Sequence, residues 1–165
     1  MQTKFKYPMN VVAKDTISGF QGVVIIRNAH LFGCSQYGLA PKELGSDGTP
    51  QQTQYFDESR IEIIDDSSAI AETFDYEKIF TIPLGAEVED KVSGFDGKVL
   101  LAIEHLHNCN QYYVEPTVDK EKKPRDGHWY DEGRLVVKGK GISPEEVAAP
   151  KRGSIFSRDL PRVGR

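Results

Sequence analysis

The sequence predicts an all-β protein: two tandem copies of one small β-barrel, a short linker between them and an extended C-terminal tail. Three observations predict it. One pattern of turn and core residues occurs twice, 75 positions apart. Between the turns, β-branched and other apolar residues alternate with polar ones, the period of a strand with one buried face. Gly, Asp and Pro clusters interrupt these runs at short intervals and mark turns.

The repeat comes first because it sets the domain plan. Pro8, Asp15, Ser18, Gly19, Phe20, Gly22, Val24, His30, Leu31, Cys34, Gln36, Tyr37 and Pro41 recur 75 residues later as Pro83, Asp90, Ser93, Gly94, Phe95, Gly97, Val99, His105, Leu106, Cys109, Gln111, Tyr112 and Pro116. One residue is then lost in a loop. Pro50, Asp57, Glu58 and Arg60 answer to Pro124, Asp131, Glu132 and Arg134 at an offset of 74. The chain is a duplication: unit one at 5–65, an acidic linker at 66–76, unit two at 77–139 and a basic tail at 140–165.

Each unit reads as five strands. In the first, "MNVVAK" is a strand, "DTISGFQG" a turn, "VVIIRNA" a second strand and "HLFG" another turn. "CSQYGLAP" is a third strand, "KELGSDGTP" a loop, "QQTQYF" a fourth strand, "DES" a tight turn and "RIEII" a fifth strand. In the second unit, "GKVLLAIEHL" places Val99, Leu101 and Ile103 on one face. Five short strands with tight turns fit a Src-homology-3-like (SH3-like) barrel, which closes edges that a flat meander leaves open. The expectation is two separate barrels, residues 5–65 superposing on 77–138.

The first turn explains its own residues. Gly19 and Gly94 supply positive φ, while Phe20 and Phe95 fold back as apolar plugs. Gly22 and Gly97 permit a bulge or a close strand approach. Asp15 and Asp90 bond nearby backbone N–H groups in Asx-type turns. The "DE" pairs at 57–58 and 131–132 form one 3₁₀ turn each, capped by the Asp, with Arg60 and Arg134 in reach for an ion pair. The acidic linker predicts a short helix from about Ser67. After unit two, "SPEEVAA" predicts a helical turn with Ser143 as N-cap, Pro144 at the first position and Glu146 closing a capping box.

The 165 residues are 38% hydrophobic and 28% charged, a globular composition, and no apolar run approaches the ~18 residues of a membrane span. The N-terminus lacks the apolar core of a signal peptide, so folding in a reducing host cytoplasm is expected. Residues 140–165 carry six Lys or Arg against three acids, while the other 139 residues carry 15 against 22. An acidic body disfavours general nucleic-acid binding. Neither a membrane partner nor a cofactor is expected. In the tail, Arg152, Ile155, Phe156, Arg158, Leu160 and Arg162 are the expected partner-binding anchor, apolar groups filling pockets while the arginines pair with anions.

Catalytic and metal readings are weak. Cys34 and Cys109, at equivalent positions, read as buried free thiols rather than a disulfide or metal pair. "HLHNC" puts His105, His107 and Cys109 at alternate positions, but the first unit has Phe32 where His107 falls, and no four ligands converge. Adjacent carboxylates such as Asp57–Glu58 point opposite ways in an extended chain, against proton sharing. No nucleophile motif, phosphate loop or dinucleotide fingerprint occurs. Neither an enzyme nor a metal site is expected. Tyr37, Tyr112, Tyr113, Trp129 and Tyr130 read as core and cross-strand packing first, and as a peptide- or base-binding groove second.

The pattern "SGFXG…HLXXCXQYXXXP…DEXR", present in both units, resembles a family of small, mostly uncharacterised bacteriophage proteins that carry one copy of it. The likeness covers roughly residues 5–65 and 79–138 and leaves out the linker and tail. The glycine turn is also similar to that of KOW-type barrels. The resemblance implies a viral origin and a barrel fold, and it carries over no catalytic residue. The expected function is a non-enzymatic structural or accessory protein of a phage particle, in head, neck or tail. Its barrels would dock, and its tail would anchor, among other virion proteins in a symmetric oligomer. The alternative is an intracellular phage module that captures a host protein, a nucleotide or a nucleic acid.

Overall fold

The computed structural model describes residues 4–70, 73–118, 120–121, 123 and 125–147. The first unit contains β1 (Val12–Asp15), β2 (Gln21–His30), β3 (Gln36–Ala40), β4 (Gln54–Asp57) and β5 (Ile61–Asp65). A short helix, α1 (Tyr76–Ile79), precedes the second: β6 (Glu87–Asp90), β7 (Asp96–His105), β8 (Gln111–Glu115), β9 (His128–Asp131) and β10 (Leu135–Gly139). One further helical turn, α2 (Pro144–Val147), follows. Each strand of the second unit begins and ends at the residue its counterpart predicts, at offset 75 through β8 and 74 from β9. The 3₁₀ turns Glu58–Arg60 and Glu132–Arg134 sit where "DE" placed them. The all-β class therefore holds.

The units are, however, parts of one ten-stranded antiparallel sheet. Within the first, the strand order is β5-β1-β2-β3-β4; the second repeats it as β10-β6-β7-β8-β9. Among the described residues β4 pairs only with β3 and β5 only with β1, so backbone pairing does not close the first unit, and the second behaves alike. What joins them is β2 against β7.

Strand length explains the join. β2 is ten residues long, but β1 covers one of its edges only from Gln21 to Val23. The rest of that edge would present unpaired N–H and C=O groups, a site for pairing with another strand. The matching half of β7 covers it, from Ile26 opposite His105 to His30 opposite Leu101. Asn28 lies opposite Ile103, its own repeat equivalent, so a pseudo-twofold axis passes through this pair. Two outer bonds obey the same symmetry: Leu31 N–H to the Leu100 carbonyl (2.8 Å) and Leu106 N–H to the Ile25 carbonyl (2.9 Å). A repeat in sequence reveals likeness, not association, which is why separate barrels were the natural expectation.

One face of this seam carries the core. Phe5 and Phe80, equivalent residues in the lead-in segments, meet with ring centroids 6.5 Å apart. Each also meets its unit's buried tyrosine edge-on, Tyr37 at 6.1 Å and Tyr112 at 5.9 Å, giving a ladder of four rings across the axis. The buried residues of both units form one continuous cluster around it.

The symmetry breaks at one charge. Arg27 is 2% exposed, lies with its guanidinium 4.8 Å from the Phe5 ring, and donates through Nε to Glu104 at 2.7 Å. The mirror position across the axis pairs Ala29 with Ala102. Tyr76 of α1 stacks on Phe80 at 4.6 Å, while Arg27 takes the corresponding role over Phe5.

The linker differs from expectation. Ser67 sits in a turn, its N–H bonded to the Asp65 carboxylate at 2.9 Å, and the helix forms later as α1. Asp65 and Ser67 satisfy one another locally, which favours a turn over a helix start. The second helical turn forms as expected, with Ser143 N–H donating to Glu146 Oε2 at 2.7 Å and Glu146 N–H reaching Ser143 Oγ at 3.4 Å. The anchor residues Arg152, Ile155, Phe156, Arg158, Leu160 and Arg162 lie outside the described residues.

Removing one partner of a buried ion pair costs about 3–5 kcal/mol because the other charge is left uncompensated. Glu104→Ala and Arg27→Ala should therefore each destabilise the whole chain in one cooperative transition. Arg27→Leu with Glu104→Leu should recover most of that loss. Chemical denaturation checks this; loss confined to one unit, seen as a second transition, would contradict the shared core.

Candidate binding surfaces

The residues that recur in both units are the natural candidates for a site, and the structure gives most of their polar side chains a partner within the fold. Asp15 has no exposed surface. Its carboxylate accepts from Ser18 N–H (2.7 Å) and Ser18 Oγ (2.5 Å), and from Arg60 Nε (2.8 Å) and Nη2 (2.7 Å). Asp90 repeats this with Ser93 (2.9 and 2.6 Å) and Arg134 (2.9 and 2.5 Å). A bidentate fork fits a carboxylate with geometric as well as electrostatic specificity. The Arg60 guanidinium holds the Asp15 carboxyl well below the usual carboxylate range against the opposing effect of burial, and Ser18 adds to it. Arg134 does the same to Asp90.

The turn above this lock is as expected. Gly19 and Gly94 have φ of 77° and 73°. Phe20 packs on Phe56 at 5.5 Å, under which Arg60 lies at 5.3 Å; Phe95, Tyr130 and Arg134 repeat the stack at 5.6 and 5.2 Å. A Cβ on Gly22 would fall 2.6 Å from the Ala40 carbonyl oxygen, and one on Gly97 would collide with that of Glu115. These two glycines therefore allow strands to close on each other, as the sequence suggested.

The dipeptides "QY" and "DE" pair with each other. Gln36 Nε2 donates to Asp57 at 2.9 Å and Tyr37 OH to Glu58 at 2.7 Å; Gln111–Asp131 (2.7 Å) and Tyr112–Glu132 (3.1 Å) repeat it. The Asp of each pair thus bonds across to a glutamine and makes no side-chain cap to its 3₁₀ turn, which corrects the capping expectation. Arg60 and Arg134 reach past it to the buried Asp. The tyrosine hydroxyls also receive lead-in backbone: Lys6 N–H at 2.9 Å in one unit, Ile82 N–H at 3.3 Å in the other. Burial pushes both tyrosines above the ordinary phenol range.

The cysteines overturn an expectation. Cys34 and Cys109 are free thiols but exposed. Both lie in the turns after β2 and β7 rather than on the inward face of a strand. Gly33, at φ 108°, swings the chain outward before Cys34, and Cys109 donates its N–H to the Asn108 side chain at 2.8 Å. Among the described residues, no three His, Cys, Asp or Glu side chains come together to hold a metal ion.

Of the five aromatics weighed as a groove, Tyr37, Tyr112 and Tyr130 are core. Trp129 is 44% exposed and packs on Tyr113 at 5.3 Å. Its equivalent Tyr55, which the sequence reading passed over, is 48% exposed. Ile17 and Val92, at the tips of the two first turns, are 76% and 77% exposed. The signal was there to find: an apolar residue repeated at a turn position where polar residues are usual.

Two open grooves lie beside the first turns, of about 430 and 310 Å³. They share the equivalent positions Val12/Glu87, Gln21/Asp96, Gly22/Gly97 and Lys42/Thr117. A third groove, of about 440 Å³, is lined by α1, the lead-in residues Phe80, Thr81, Pro83 and Leu84, and the start of α2.

Two outcomes follow. Both thiols should react promptly with an aromatic disulfide reagent in the native protein, whereas a slow phase that disappears on unfolding would restore the buried reading. Asp15 and Asp90 have folded-state pKa values below the ordinary 3.8. Their contribution to stability is present above about pH 4 and is lost as pH falls below it. Asp15→Asn with Asp90→Asn should flatten the acid limb of a stability–pH curve, and an unchanged limb would contradict the lock. In comparisons with known proteins, the chain matches no family model, no curated protein and no solved structure.

Proposed function

We propose that each unit is an SH3-like barrel, and that the chain is a non-catalytic component of a bacteriophage particle, docking to other virion proteins through its repeated surfaces. The strand order β5-β1-β2-β3-β4, with a 3₁₀ turn leading into the last strand, supports the barrel reading. The likeness of the repeat to small phage proteins supports the setting. One observation carries the docking function. Most repeated polar side chains bond internally, while two pairs of equivalent exposed positions, Ile17/Val92 and Tyr55/Trp129, are apolar or aromatic. Exposed aromatics and aliphatics of this kind make the anchors of protein interfaces.

A second reading, an intracellular phage module binding a host protein or a base, is favoured by Trp129, 44% exposed and tilted at 59° to Tyr113, an aromatic on which a flat ligand can stack. Mass spectrometry of purified particles separates the two. Stoichiometric presence supports the virion reading, and absence alongside early expression supports the second.

Surface substitutions usually shift stability by no more than about 0.5 kcal/mol. Ile17→Asp with Val92→Asp should therefore leave thermal denaturation nearly unchanged and lower incorporation into particles at least several-fold. Full incorporation of this variant and of Tyr55→Ala with Trp129→Ala would remove these surfaces from the docking function.

A further inference from the structure

In the first unit, the chain leaving β5 doubles back along the segment that leads into β1. Ile70 N–H donates to the Met9 carbonyl (3.1 Å), Phe5 N–H donates to the Phe74 carbonyl (2.9 Å), and Lys4 bridges to Asp75. This return strand seats Phe74 against the core, its ring 5.9 Å from the Arg27 guanidinium. The lead-in of the second unit is the same stretch moved by 75 residues, so Lys4–Met9 becomes Ile79–Leu84.

The chain leaving β10 begins the same return. Ile142 N–H donates at 3.0 Å to the carbonyl of Gly85, the residue equivalent to Asn10, whose side-chain amide donates to the Ser68 carbonyl at 2.8 Å. Both Asn10 and Gly85 have positive φ, at 60° and 81°, to make this close approach. Then the two units part. Pro144–Val147 coil into α2, and the lead-in is left lining the 440 Å³ groove, with Ile79, Phe80, Pro83 and Leu84 along it and Pro144 as one wall. That volume falls among ordinary ligand pockets, about 300–1,000 Å³. At the offset of 74, the place of Phe74 falls on Ala148, too small to fill it.

We propose that this groove seats the chain's own C-terminal segment, with Ile155 and Phe156 against Ile79, Pro83 and Leu84. In the second unit the Tyr76 carbonyl takes the Phe80 N–H (2.8 Å), and the returning chain is left without the bond that fixes Phe74. Reach permits it: the seven residues 148–154 span up to roughly 23 Å when extended. A tether this short holds the segment at an effective concentration of about millimolar. Charge allows it. The groove rim mixes Glu77, Lys78 and Glu145, so it raises no net barrier to residues 148–165, which carry five Lys or Arg and one acid. This goes beyond the particle reading. In the free protein the tail covers its own groove, and a neighbouring subunit takes the tail only by displacing it.

Limited trypsin digestion of the full chain tests it, with cleavage at Lys151, Arg152 and Arg158 followed by intact mass. Where opening is fast, cleavage tracks the open population, so wild type should be cut about tenfold more slowly than Phe156→Ala or Ile79→Asp. Phe156→Ala lies outside the body and leaves its fold intact; near-ultraviolet circular dichroism verifies this for Ile79→Asp. Equal rates in all three proteins overturn the proposal. Cross-linking Lys78 to Lys151 in a mixture of ¹⁴N- and ¹⁵N-labelled chains gives a second readout. Single-isotope pairs alone are expected, and mixed-isotope pairs overturn the assignment to the same chain. Particle incorporation is read independently of both measurements, so either reading can fail without the other.

Discussion

The pairing of β2 with β7 is the constraint from which the rest of the molecule follows. Two copies of one strand, related by a twofold axis through Asn28 and Ile103, are self-complementary, so backbone bonds alone would join first units to first units equally well. Arg27 and Glu104 remove that freedom. Two first units meeting this way would set each buried Arg27 against an Ala29, and two second units would set each Glu104 against an Ala102. A buried charge without its partner is strongly unfavourable. Only a first unit against a second compensates both charges, and the linker supplies that partner at high local concentration. The seam is thus built like a dimer interface but admits one arrangement.

A rigid seam makes the repeated locks on either side matter. Each first turn is fastened to its last strand through Asp15–Arg60 or Asp90–Arg134, and Thr16 N–H and Lys91 N–H reinforce it on the Arg60 and Arg134 carbonyls (2.8 and 2.9 Å). Each third strand is fastened to the 3₁₀ turn through Tyr–Glu, and the same hydroxyl receives the lead-in that carries Phe5 or Phe80 into the core. A side chain so engaged is a poor candidate for substrate chemistry, since freeing it would loosen the turn, the edge strand and the aromatic ladder together. In the docking function proposed above, recognition falls to side chains that the folding network does not use.

Much of this was legible in the residues. Positive φ at Gly19 and Gly94 follows from the turn, and the capping box at Ser143–Glu146 from local spacing. Such features depend on a few neighbouring residues. The buried Asp15–Arg60 pair spans 45 positions, and sequence spacing gives no sign that Arg60 would pass Asp57 to reach it. The thiols misled because a repeated cysteine suggests a core position, whereas Gly33 turns Cys34 to solvent. The seam was hidden for a deeper reason. Residues 26–30 look like any buried strand, and a sequence does not say which strand covers an edge. In retrospect the ten-residue length of β2, with only a four-residue β1 to cover it, was the available sign.

The duplication keeps the scaffold and varies what it presents. Tyr55 and Trp129 hold equivalent places on the edge strands β4 and β9. Beneath Tyr55 lies Gly38, where a Cβ would fall 3.2 Å from the ring, so this aromatic settles onto the sheet beside Ile26. Beside Trp129 stands Tyr113 in place of that glycine, so the indole rests against a second ring at 59°, and the two aromatics, Tyr55 and Trp129, remain similarly exposed. The returning chain differs in the same way, a seated Phe74 in one unit and an open groove in the other. Arg27 also belongs to this set, since Ala102 replaces it where Tyr76 covers Phe80. A partner contacting both units therefore meets two surfaces of one layout but different relief, held at a fixed separation by the seam. Two copies of a single-unit protein would present identical faces. Within one chain, each face is free to diverge toward its own contact without loss of the pairing that orients them.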